Sequence, residues 1–184
     1  MALAKRRWAA ELLHVWFHRL NLRDWFGGGE AVDAMLHRRF AREWAMLKGQ
    51  PAQRFLSDPQ MALAGVLLFD QIPRNLFRGT ARAFASDRLA LAIARGALAR
   101  GFDKALTARQ RQFLAMPLMH SEAIADQRAS LRLYAALPPD HGWAFARQHH
   151  AMIARFGRFP HRNRVLGRRS TPAEERAVAA GFAW

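Results

Sequence analysis

The chain has 184 residues, 51% hydrophobic and 23% charged, enough for one core and too ordinary in composition for wholesale disorder. It holds no cysteine, which excludes a disulfide framework, a zinc ribbon and a thiol nucleophile. Charge is the departure: 29 lysines and arginines against 14 aspartates and glutamates give a net +15, a balance that favours anionic partners. Only Lys5, Lys48 and Lys104 are lysines, so part of the arginine excess is expected to reflect codon supply in a GC-rich genome rather than binding.

Apolar residues recur at spacings of three and four almost throughout, which predicts an all-α protein, and no strand-like alternation competes with it. Trp8, Leu12, Leu13, Val15 and Trp16 form a first amphipathic stripe. Gly27, Gly28 and Gly29 then break the chain, with Trp25 and Phe26 beside them either closing one end of the core or forming a mobile lid. Val32, Met35, Leu36, Phe40, Trp44 and Leu47 form a second stripe. Asp58 before Pro59 is a helix start, since the carboxylate caps free amides and proline tolerates the first helical position. The helix to about Asp70 is nearly all apolar and is expected to lie centrally.

A polar turn is predicted over 71–80. Ser86 and Asp87 are expected to cap a helix carrying Leu89, Ile93 and Leu98 that stops at Gly101. Thr107 opens a short helix through Phe113 and Leu114, which Pro117 is expected to interrupt. Leu118, Ile124, Leu131 and Leu133 continue to Pro138 and Pro139. Phe145, Met152, Ile153 and Phe156 make a late stripe, followed by a second polar turn over 157–170. Thr171, Pro172 and Glu174 spell a capping box. The whole reads as a single domain, 1–184, of about seven to nine antiparallel helices.

One echo runs through the chain. Phe69-Asp-Gln-Ile-Pro73-Arg-Asn75 is answered by Phe156-Gly-Arg-Phe-Pro160-His-Arg-Asn163, each with phenylalanine four residues ahead of proline and an Arg-Asn pair after it. The two are either similar helix exits or two polar corners of one cleft. With Ala83-Phe-Ala-Ser-Asp87, Pro117-Leu-Met-His-Ser-Glu122, Gln127 and Leu166-Gly-Arg-Arg-Ser-Thr171, these strings resemble, in order and from about Val15 to the end, a bacterial family of domains of unknown function, number 924. The resemblance implies a compact TPR-like helical fold and no established activity. Phe69 stands where that family's pattern has leucine and Ile72 where it has phenylalanine, and the glycine-rich loop matches weakly.

The polar inventory at these corners comprises Asp70, Gln71, Arg74, Asn75, Arg78, His120, Glu122, Gln127, His149, Arg155, Arg158, His161, Arg162, Asn163 and Arg168. Burying such groups singly is costly, so they pair with one another or with a ligand. Guanidinium forks match carboxylate and phosphate, which points to a small anionic molecule or an acidic peptide. In that reading Arg74, Arg158 and Arg162 hold the anion, Asn75 and Asn163 fix the corners, and Asp70 and Glu122 orient the arginines. The alternative is an enzyme, a hydrolase or transferase using His120 or His149 as base. His149 lies on an apolar face, where a lone histidine is more often a satisfied core residue than a base. His120, Ser121 and Glu122 cannot act as a triad, because consecutive helical residues point about 100° apart. Glu122 and Asp126 with His120 have metal-ligand spacing, but solvated carboxylates explain them as well, and neither metal nor cofactor is expected. The stretch 141–171 carries seven arginines and no acidic residue after Asp140, so nucleic-acid binding is a third reading, though no recognised motif for it is present. The longest apolar run, 59–69, falls well short of the roughly twenty residues a membrane span needs. A signal peptide's apolar stretch is missing near the basic Lys5, Arg6 and Arg7, so cytoplasm is expected.

Overall fold

The computed structural model describes residues 7–182, so the basic segment with Lys5 and Arg6 lies outside the described residues. The α-helices are α1 (Arg7–His14), α2 (Leu22–Gly27), α3 (Glu30–Leu47), α4 (Pro59–Val66), α5 (Ile72–Leu76), α6 (Asp87–Ala99), α7 (Ala108–Met119), α8 (Ile124–Ala135), α9 (Trp143–Phe156) and α10 (Pro172–Ala179). A π-helical turn, Leu67–Gln71, joins α4 to α5 in one rod, leaving nine separate helices among the described residues. Those residues form no strand, and none of their helices is long and apolar enough to cross a membrane. The protein is all-α, as its periodicity predicts.

Local chemistry explains where several of these helices begin. Asp58 accepts from the Met61 amide at 2.9 Å, with Pro59 at the first helical position. Thr107 with Gln110, and Thr171 with Glu174, complete capping boxes. The α4–α5 rod is buried from Met61 to Pro73. It packs on α1, α6 and α7, while α3 lies against α5, and α8 lies between α7 and α9. Each fully buried Leu63, Leu67 or Leu68 contributes about 1.5–3 kcal/mol over its exposed state. A second, small cluster of Met152, Ile153, Phe159 and Ala177 fastens α10 to the end of α9.

Several expectations need correction. The polar turn predicted from Gln71 does not begin there, because the rod continues to Leu76. The widened turn bonds the Ile72 amide to the Leu67 carbonyl, which brings Pro73 into the helix one turn later. Proline cannot donate to the carbonyl four residues back, that of Phe69. Ser86 supplies the missing donor, its hydroxyl 2.7 Å from the Phe69 oxygen, and itself accepts from Trp44 Nε1 at 2.9 Å. Ser86 is therefore at the head of α6 without capping it by its side chain. Pro117 does not stop α7, which continues to Met119, although the proline withholds the amide that would bond the Phe113 carbonyl. The break comes at 120–123 instead. Phe145 is 48% exposed and Ile124 is 36% exposed, so neither belongs to the core that their spacing suggested.

Candidate functional site

The π turn sets Asp70 on the inner side of the rod, fully buried, and the break after Met119 swings His120 against it. His120 Nδ1 lies 2.9 Å from both Asp70 carboxylate oxygens. An ionised carboxylate only accepts, so Nδ1 carries the proton and Nε2 bears the lone pair. Gln71 Nε2 donates to Asp70 at 2.6 Å, and Arg74 Nη1 stands 3.4 Å from it. Arg74 then forks onto Asp87, with both guanidinium–carboxylate contacts at 3.0 Å, and its Nη1 also reaches the Asp70 carbonyl. Asp87 was expected to cap α6; its carboxylate turns to Arg74 instead.

Residues 120–123 form a corner tied down on three sides. Gln127 Nε2 donates to the carbonyls of Met119, at 2.6 Å, and Ser121, at 2.7 Å. Ser121 donates to Asp126, which also receives Arg95. Glu122 receives Arg168 at 2.8 and 3.0 Å and the Phe159 amide at 2.8 Å. His120, Ser121 and Glu122 thus face three different partners, and the Glu122 and Asp126 carboxylates are each turned on an arginine. From the second corner, Arg162 Nη1 donates to the His120 carbonyl at 3.0 Å and stands 3.8 Å from Asp87. The Arg162 guanidinium stacks between Phe159, at 4.4 Å, and Phe84, at 4.8 Å. The two echoing segments therefore do come together.

They enclose a cavity of about 510 Å³. One part of its wall is polar, formed by Gln71, Arg74, Asn75, Arg78, His120, His149, His161 and Arg162. The rest is largely apolar, with Trp25, Phe26, Phe84, Met116, Met119, Tyr134 and Phe145. Asn75 and Arg78 are held by Asp33, at 2.8 and 2.9 Å. The sequence pointed to the polar group and singled out neither Met116 nor Tyr134. Tyr134 is the chain's single tyrosine, a signal that its hydroxyl needed a partner, and it donates to the Gln112 carbonyl at 2.9 Å.

Other candidates lie elsewhere. Asp70 sits behind His120 and does not line the cavity, and Gln127 and Glu122 brace the corner. Arg158 does not face the cavity, because it forks onto Glu174 at 2.6 and 2.9 Å and bonds the Arg169 carbonyl. Arg168 is spent on Glu122, and Asn163 donates to Ser170 at 3.1 Å. Arg155 is exposed and lies over the Phe156 ring. Of the seven arginines in 141–171, Arg158, Arg162 and Arg168 are thus engaged inside the fold.

Burial works to raise the Asp70 pKa, but Arg74 and His120 outweigh it and hold the carboxyl well below the usual range. His120 is lowered by burial, with Arg74 and Arg162 acting the same way against Asp70, so its ring is neutral at pH 7. His149 is lowered to about 3 and His161 to about 4, both chiefly by burial. His149 Nδ1 lies 2.8 Å from the Phe145 carbonyl. Burial and then Arg74 lower Arg162 to about 10. Three neutral imidazoles and a desolvated guanidinium therefore share one wall.

An all-helical protein enclosing an arginine- and imidazole-walled cavity is the class these features define. The chain belongs to the family described as bacterial protein of unknown function (DUF924), whose model matches residues 12–181. It is similar to the solved structure of a protein of unknown function, ATU0120, from Agrobacterium tumefaciens. That likeness has 36% identity and a TM-score of 0.88, covering 94% of this chain and 97% of the other. No curated protein matches the chain.

Proposed function

We propose that the protein binds a small monoanion with an apolar body in this cavity. The observation that carries the reading is Arg162. Its residue is 6% exposed, yet among the described residues its guanidinium makes one hydrogen bond, from Nη1, and its Nε has no acceptor. A guanidinium has five N–H donors, and burying so many unmet is costly unless a ligand supplies an acceptor. Arg74 is forked onto Asp87 and Arg78 onto Asp33, so Arg162 is the guanidinium of the wall that keeps a donor for a ligand's oxygen. The aromatic and methionine side would take the apolar body. A pocket of about 510 Å³ is of the size that takes a carboxylate-bearing small molecule. Nucleic-acid binding has less support, given the arginines of 141–171 that are committed inward.

Thermal melting with acetate, hexanoate, benzoate, inorganic phosphate and an oligoglutamate peptide tests the reading. Hexanoate or benzoate should raise the midpoint, by about 2.7 kcal/mol of added stability at a hundredfold excess over Kd. Arg162→Gln should abolish the shift. Equal shifts in wild type and variant, or none with any carboxylate, would defeat the proposal; a shift with the peptide alone would favour the peptide.

A further inference from the structure

We infer that the Asp70–His120 pair is the general base of an esterase that hydrolyses small esters of apolar carboxylic acids in this cavity. The inference rests on the binding reading above, since the acid released is the monoanion proposed to bind there.

Geometry singles out His120 among the three imidazoles. Its Nδ1 is fixed by a fully buried carboxylate at 2.9 Å, so its ring orientation and tautomer are both set, and no described residue bonds Nε2. His149 instead turns its Nδ1 to the Phe145 carbonyl at 2.8 Å, and burial lowers His149 to about 3 and His161 to about 4. The wall offers no serine, threonine, lysine or carboxylate side chain as nucleophile, and the chain has no cysteine. Tyr134, whose side chain carries the hydroxyl of the described wall, donates to the Gln112 carbonyl, and Ser86 and Ser121 are committed to Phe69 and Asp126. Water is the nucleophile that remains.

The step balances with groups already present. His120 Nε2 takes a proton from water as the water oxygen bonds the acyl carbon, and the carbonyl electron pair moves onto its oxygen. Arg162, held between Phe84 and Phe159 with donors to spare, stabilises that single charge. The intermediate collapses with cleavage of the acyl C–O bond, and the imidazolium returns its proton to the leaving alkoxide. A single charge develops, on an oxygen that the unmet Arg162 Nε–H can take. His120 is the catalytic residue here and Asp70 a positioning residue.

The test uses the 4-nitrophenyl esters from acetate to octanoate, with calorimetry of butyrate and hexanoate on the same proteins. Wild type should show saturable hydrolysis, with kcat/KM falling on the acid side with an inflection below pH 6.5. His120→Gln should lose at least a hundredfold in kcat yet still bind hexanoate. Asp70→Asn should lower kcat with KM little changed and move the acid inflection further down, because Asp70 supports the protonated ring. His37→Gln, an exposed histidine, should change nothing. Hydrolysis that does not saturate, or that survives His120→Gln, would come from surface imidazoles and would overturn the inference. So would the absence of the acid limb in wild type, a readout that needs no variant to fold. Hexanoate binding without hydrolysis sinks the esterase and leaves the binding reading standing; no binding of either acid sinks the binding reading.

Discussion

At the level of single residues, His149 shows how cavity polarity and stability are linked. Burial, helped by His120, drops its pKa from an ordinary 6.5 to about 3, so the fold holds it neutral where the unfolded chain would accept a proton. A depressed pKa gives stability that is complete above the unfolded value and is lost as pH falls towards the folded one. The window is therefore pH 6.5 down to about 3, and at pH 5 His149 alone costs on the order of 2 kcal/mol. His161, lowered to about 4, acts in the same direction. Asp70 follows the same rule one window lower: its contribution is complete above the usual carboxylate pKa and fades only below it. Denaturant midpoints should drop between pH 7.5 and pH 5, and His149→Leu should flatten that slope; a level profile in wild type contradicts the account. His149 was legible in the sequence only as ambiguous, since a histidine on an apolar stripe looks the same whether it faces a core or a cavity. Arg74, Asn75 and Arg162 were legible from the repeated Pro-Arg-Asn pattern. Asp87 and Asp33 were not recognised as arginine partners, because an acidic residue in the first turn of a helix reads as a cap or a dipole partner.

Among the elements, proline was the main source of misreading. Pro73 and Pro117 both signal helix ends, and both lie inside helical segments, because the cost of a missing amide depends on what else meets the orphaned carbonyl. For Pro73 that group is Ser86, forty-two positions from the Trp44 indole that donates to it and on a different helix, so no local pattern reveals it. Ser86 is 3% exposed and bridges two buried groups. Ser86→Ala should leave the Phe69 carbonyl and Trp44 Nε1 without partners and destabilise the protein by about 1–3 kcal/mol. Because the same carbonyl adjoins Asp70, the variant should also weaken hexanoate binding. Urea unfolding and calorimetry on one preparation check both, and a loss under about 0.5 kcal/mol, the usual size for an indifferent surface change, would mean that the widened turn holds without the serine. Three caps, by contrast, were legible to the residue: Asp58, Thr107 and Thr171 each bond the amide that their spacing assigns them, whereas the capping box of Asn21 and Asp24 at α2 was not read.

Across the whole molecule, the site exists because two distant corners are stitched together behind the cavity wall. Glu122 makes the stitch: it takes Arg168 through both oxygens and the Phe159 amide, while Arg162 reaches back to the His120 carbonyl. None of Glu122, Arg168 and Phe159 lines the cavity, yet together they set where Arg162 stands relative to His120. Glu122→Ala removes acceptors from a guanidinium and an amide that are both largely shielded from water, and should cost about 1–3 kcal/mol. Its larger consequence is geometric. With the corner 120–123 released from 156–163, Arg162 should lose registry with the imidazole, and hexanoate affinity should fall at least tenfold although no lining residue has changed. Glu11→Ala, which breaks the exposed Glu11–Arg39 pair, is the matched control and should alter stability by no more than about 0.5 kcal/mol and affinity not at all. Hydrogen exchange separates the two effects: the variant should lose protection at the Phe159 and Asn163 amides while the α4–α5 rod keeps its own. Affinity unchanged in Glu122→Ala would mean that each corner holds its shape alone, and that their meeting is packing rather than the construction of a site.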